Sequence, residues 1–177
     1  MKLKKKGEEA QLGGIKQCMM VLKWTTATDF DLAAAYRAKN GHEGLVYFGD
    51  KGNLNAFPFM EAGEDKGVGD TGGDNQEELR ITKFDEMDFI WLLCWDYGAI
   101  EKGAQARFKE SDVIVSLLDD KGTNHAVSLD TGDLGNICLV ATIDNTSPMG
   151  AKLINDSKAG VLKGLNDFSE IMSIINA

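Results

Sequence analysis

The sequence lacks any apolar run long enough to cross a membrane; its most apolar stretch, "FIWLLCW" (89–95), has the length of a strand. It also lacks an excess of positive charge. Nineteen Lys and Arg stand against 28 Asp and Glu, a net charge of −9, whereas a phosphate backbone needs a basic face. Nucleic acid is therefore not an expected partner. The opening "MKLKKKGEEAQLGG" is followed by no apolar stretch of signal-peptide length, so no secretion signal is read and the expected location is the cytoplasm. Cysteine is scarce. Cys18, Cys94 and Cys138 are odd in number, far apart and set in apolar runs, which suits reduced core thiols and excludes a disulfide frame or a zinc knuckle. Histidine is scarcer, with only His42 and His125, each at a hairpin turn or its edge and expected to face solvent. No Ser-His-Asp or Cys-His arrangement is signalled, and no phosphate-cradling glycine loop, internal repeat or linker is present.

What is present is enough apolar material for one core: 177 residues, 43% hydrophobic, read as a single domain over 1–177. Short apolar runs alternate with Gly/Asp/Asn clusters, the pattern of a mostly-β chain folded as a sandwich of two antiparallel sheets. Strands are expected at 15–24, 77–84, 89–97, 111–119, 125–130 and 135–143. "FDLAAAYRAK" (30–39) suits a strand or a short helix, and the turn "KNGHEG" before "LVYFG" favours a hairpin. Only the tail has helical spacing. Val161, Leu162, Leu165, Phe168, Ile171, Met172 and Ile175 predict a C-terminal α-helix over about 158–175, packed on its own sheet.

One stretch fits neither strand nor helix. "GEDKGVGDTGGDNQEE" (63–78) holds five glycines and six acids against one lysine, more than half of the net charge. Two carboxylates ~5 Å apart repel by roughly 3 kcal/mol at an effective dielectric near 20. A divalent cation reverses that sign. Hard cations such as calcium take six to eight oxygens, and the glycines let carbonyls and short acids turn inward. Asp65, Asp70 and Asp74 lie in the loop, and Glu77 supplies a longer arm where the next strand begins. A second pair, Asp29 and Asp31 in "TDFDLAAAY", stands two apart, so on an extended strand both carboxylates face one side. Asp96, ending "WLLCWD", is a further candidate ligand, although a turn often carries such an Asp. An EF-hand is excluded. Counted from Asp65, its third and fifth positions are Gly67 and Gly69, and its twelfth is Gln76.

The succession "DFDLAAAYRAKNG", "GDTGGDNQEELRI" and "FIWLLCWDY" resembles the TerD-type tellurium-resistance and stress-protein family, in its TerA-like branch, over roughly residues 15 to 155. The resemblance implies a β-sandwich, calcium bound by acidic loops, a cytoplasmic location, a role in tellurite and other stress resistance, and no catalytic activity. It sets the family's Asp-x-Asp on Asp29 and Asp31 and its Gly/Asp loop on Asp70, Asp74 and Glu77. The family's loop carries more acids where this chain has Thr71, Gly73, Asn75 and Gln76, and a further Asp where it has Ala33. One or two calcium ions are expected, with protein partners in a stress-response assembly.

Two other readings fit parts of the sequence. Asp-Thr-Gly occurs at 70–72 and 130–132, as in an aspartic-protease pair, but the first copy sits among glycines and acids and neither is followed by the usual Ser or Ala. A calcium-independent binding module for a small ligand or a protein is the stronger rival. Trp24, Trp91, Trp95 and Tyr97 are the aromatics such a site would use, although rings at strand spacing more often belong to the core.

Overall fold

The computed structural model describes residues 2–25, 30–63, 75–104, 106–108, 112–165 and 167–177. Fifteen strands and two helices occur among them. Strands β1 (Lys2–Leu3), β2 (Glu9–Gly13), β3 (Cys18–Trp24), β4 (Phe30–Ala38), β5 (Glu43–Val46), β6 (Gly52–Asn53), β7 (Met60–Ala62), β8 (Asn75–Ile81) and β9 (Met87–Asp96) precede helix α1 (Tyr97–Lys102). Then come β10 (Ala106–Arg107), β11 (Ile114–Asp119), β12 (Asn124–Ser128), β13 (Leu134–Gly135), β14 (Ile137–Asp144), β15 (Ala151–Gly160) and helix α2 (Phe168–Asn176).

The strands form the expected two sheets. One has seven strands in the order β1-β12-β11-β3-β8-β7-β6, the other six in the order β2-β15-β14-β9-β4-β5, and β10 pairs with β13 apart from both. Every pairing is antiparallel except β1 with β12. The 30–39 segment is a strand, and its hairpin with β5 pairs Arg37 with Glu43. The 111–119 and 125–130 segments form the second expected hairpin, with Leu117 opposite His125.

β9 shows why a continuous apolar run can be a strand. Ile90, Leu92 and Cys94 face the core between the sheets, while Trp91, Leu93 and Trp95 face a second apolar layer. Ile171, Met172 and Ile175 of α2 complete that layer, so the six-stranded sheet is buried on both sides. Residues of both parities are therefore apolar, as two-faced burial demands.

The helix is shorter than its spacing predicts. Residues 151–160 belong to β15, and α2 begins only at Phe168. β15 escapes a hydrophobic reading because two of its four inward positions are Asn155 and Ser157, both fully buried. Leu162 lies on the helix-side layer without being helical, because Asn136 Nδ2 donates to its carbonyl at 2.8 Å and its amide donates to Asn136 Oδ1 at 2.7 Å. The start of α2 is then fixed by Asp167, whose side chain accepts from the Ser169 amide at 3.0 Å. Residue 97 leaves the strand as well. Asp96 ends β9 and caps α1, whose last turn closes on Gly103 in the left-handed region.

Candidate functional site

Of the acids predicted to meet, the described ones come from β4, β8 and β9, whose ends lie close together. Trp24 pairs with Asn75 across β3 and β8, and Asp31 pairs with Trp95 across β4 and β9. Phe30 packs edge-on to Trp24 at 5.6 Å between centroids and lies 6.0 Å from Phe108, so aromatic rings floor this end of the sandwich. Gly63 reaches it too, donating its amide to Glu78 O at 2.8 Å. Thr25 is tied there by Asp112, which accepts from its amide at 2.9 Å and from its hydroxyl. Residues 25, 30, 63 and 75, which flank the two acidic segments, thus converge.

Three predicted ligands lie among the described residues, and all three are buried: Asp31 at 4%, Glu77 at 8% and Asp96 at 9% exposure. Asp31 Oδ2 accepts from the Trp95 indole at 3.0 Å. Glu77 reaches across the interior, where its Oε2 accepts from the Leu32 amide at 2.7 Å. β5 pairs with β4 only as far as Ala34, so the Glu77 carboxylate takes a backbone donor just beyond the reach of β5. That bond sets the end of the acidic loop one residue from Asp31. Asp96 Oδ1 caps α1 by accepting from the Ala99 amide at 3.0 Å.

The common field of these acids is felt at one thiol. Burial pushes Cys94 well above its ordinary value, and the charges of Cys138, Glu77, Asp31 and Asp96 push it further. The three cysteines are free and buried, as expected of core thiols.

Asp29, Asp65, Asp70 and Asp74 lie outside the described residues. Among the described residues no group of three or more His, Cys, Asp and Glu could hold a metal. What Asp31 and Glu77 offer is hard carboxylate oxygen, each anchored by a donor, beside the buried side chain of Asn75. This donor chemistry suits a hard cation such as calcium. The Asp112–Thr25 tie has no signal in the sequence, where "SDVIVSLLD" reads only as a strand start.

No family model matches the sequence, and no curated protein matches it. Solved structures do match in shape. A homologue of telluride resistance protein (TerD) from Streptomyces coelicolor A3(2) aligns at a TM-score of 0.60 and 14% identity, over 84% of this chain and 92% of that one. The fold is TerD-type. A second structure, of a protein of unknown function, aligns at a TM-score of 0.60 and 12% identity, over 83% of this chain and 93% of that one.

The other candidate residues fall out differently. Trp24, Trp91 and Trp95 are core residues, at 2%, 5% and 0% exposure, whereas Tyr97 borders an open pocket. His125 is not solvent-facing. It is 5% exposed, and its Nε2 lies 3.2 Å from Asp119 Oδ2. None of the described helices is long and apolar enough to cross a membrane.

Proposed function

We propose that this chain is a calcium-binding, non-catalytic protein of the cytoplasm that serves tellurite and other stress responses. In this reading its acidic segments hold one or two calcium ions and thereby order a surface for a protein partner. The observation that carries the reading is the Glu77–Leu32 hydrogen bond, which sets the end of one acidic segment beside Asp31 of the other. The TerD-type shape supports the stress role, since one protein of that shape is a telluride-resistance homologue.

Asp31 and Glu77 would hold the cation from rigid strands, with Asp29, Asp65, Asp70 and Asp74 closing the shell. Calcium would supply the positive charge that offsets their mutual repulsion. Trp95 and the Leu32 amide keep the two carboxylates aimed by donating to them.

Calorimetric titration of the chelator-treated protein with calcium tests the reading, with one or two bound ions expected. A ligand that binds only the folded state at about 100 times its Kd stabilises by about 2.7 kcal/mol. For a chain of this size that raises Tm by about 5–10 °C. Asp31→Asn and Glu77→Gln should each lose most of that gain, whereas Asp96→Ala should keep the calcium response and lower the baseline Tm through the lost cap. Absence of calcium heat in the parent protein would sink the reading.

A further inference from the structure

Beside α1 lies a pocket of about 400 Å³, walled by Tyr47, Phe48, Tyr97, Ile100 and Leu165. Its aromatic wall is built in advance. Phe48 is 41% exposed, a costly place for a phenyl ring, yet it is clasped edge-on between two tyrosines, with centroids 5.3 Å from Tyr47 and 5.9 Å from Tyr97. Tyr47 packs in turn on the buried Trp95 at 5.8 Å. The turn that presents Phe48 is pinned by two backbone bonds of 3.0 Å between Tyr47 and Asp50. Gly49 is required within it, because a Cβ there would lie 2.7 Å from the Tyr47 ring. Opposite this wall, Gly164 has only open space where a Cβ would stand.

Glu101 and Lys163 also line the pocket, from α1 and from the segment before α2. Among the described residues neither side chain has an ion pair. A rim with one carboxylate and one ammonium, above an aromatic and aliphatic floor, complements a ligand carrying both charges on an apolar body.

We propose that this pocket is a binding site for a small zwitterion with a large apolar or aromatic side chain, the chemistry of a free aromatic α-amino acid. The ring enters the wall of Tyr47, Phe48 and Tyr97, the ligand's ammonium meets Glu101 and its carboxylate meets Lys163. A volume of about 400 Å³ is within the range of small-molecule sites, and the aromatic rings supply the apolar contact such sites use. The proposal stands apart from calcium, because none of its residues belongs to the carboxylate group of Asp31 and Glu77.

The probes are L-phenylalanine, phenethylamine, which keeps only the ammonium, and 3-phenylpropionate, which keeps only the carboxylate. Each is titrated into the full chain, in calcium and in EGTA, while NMR follows the rings of Tyr47, Phe48 and Tyr97. L-phenylalanine should shift those rings under both conditions and bind more tightly than either half-charged analogue. Glu101→Gln should weaken L-phenylalanine and phenethylamine by about fivefold, as expected for an exposed charge contact, and leave 3-phenylpropionate unchanged. Lys163→Gln should do the converse. Gly164→Leu, which fills open space without strain, should abolish binding while Tm stays at the parent value. Equal binding of all three probes, shifts confined to other residues, or no shift at millimolar L-phenylalanine would each overturn the proposal without touching the calcium reading.

Discussion

A single carboxylate closes the β11–β12 hairpin. Asp119 Oδ1 accepts from the Lys121 amide at 2.9 Å and the Thr123 amide at 2.8 Å, while Oδ2 lies 3.2 Å from His125 Nε2. Burial acts to raise its pKa, but the Thr123 amide, the His125 ring and the Lys121 amide together hold it below the ordinary 3.8. A depressed carboxyl stabilises the fold above its unfolded pKa, and the contribution is lost as pH falls through the folded value. Asp119→Asn should therefore lower the urea midpoint at pH 6, and the gap from the parent should close as pH falls below 3.8. A gap that stays constant down to pH 2 would assign the effect to shape rather than charge. This lock was not legible in the sequence. His125 sits in "NHAVS", a run with little apolar character, yet cross-strand pairing puts it opposite Leu117, on the inward parity of β12 it shares with Val127. Only the partner strand shows which parity turns inward.

At the scale of elements, the longer strands that bury apolar side chains were readable, whereas β15, which buries polar ones, and the short β1, β2, β6, β7, β10 and β13 were not. Asn155 of β15 explains both its invisibility and its importance. Its Nδ2 donates to Leu3 O and to Ser128 O, each at 2.9 Å, and its Oδ1 accepts from Ser157 Oγ at 2.5 Å. Leu3 and Ser128 belong to β1 and β12 of the opposite sheet, so one side chain stitches the two layers together. Ser157 Oγ carries the link on by accepting from the Asp130 amide at 2.8 Å. Asn155→Val would raise intrinsic strand preference and yet should destabilise the protein. It leaves the buried Leu3 carbonyl, the half-buried Ser128 carbonyl and a hydroxyl short of partners, at about 1–3 kcal/mol each where they stay dry. A loss of about 3 kcal/mol in urea unfolding is expected, against under 1 kcal/mol for a Val placed at half-buried Lys152, on the outward parity of the same strand. The helix boundary failed for a related reason. Leu162 and Leu165 join the helix-side layer from non-helical backbone, so apolar spacing ran on beyond the helical hydrogen bonds that define α2.

For the whole molecule, charge placement matters more than charge total. The candidate site was legible as composition, because six acids crowded onto glycine-rich backbone have few purposes, and the pairing of its two segments follows from topology. β3 and β8 are neighbours in one sheet, β4 and β9 in the other, and Glu77 joins the layers where both pairs end. The aromatic pocket was illegible, because Tyr47, Phe48, Tyr97 and Leu165 meet only after three separate segments have folded. A net charge of −9 repels itself over the whole surface, and salt relaxes that repulsion wherever the charges are exposed. If the negative field is concentrated around the buried Asp31 and Glu77, sodium chloride should act on calcium binding as well as on stability. Raising it from about 0.1 M to about 1 M shortens the screening length from about 10 Å to about 3 Å. The calcium-free Tm should then rise while calcium affinity falls by about tenfold, equivalent to about 1.4 kcal/mol of lost attraction. Calorimetry at both salt concentrations measures the second quantity directly. Affinity unchanged by salt, alongside a raised Tm, would locate the repulsion on the general surface and leave the convergent acids without an electrostatic role.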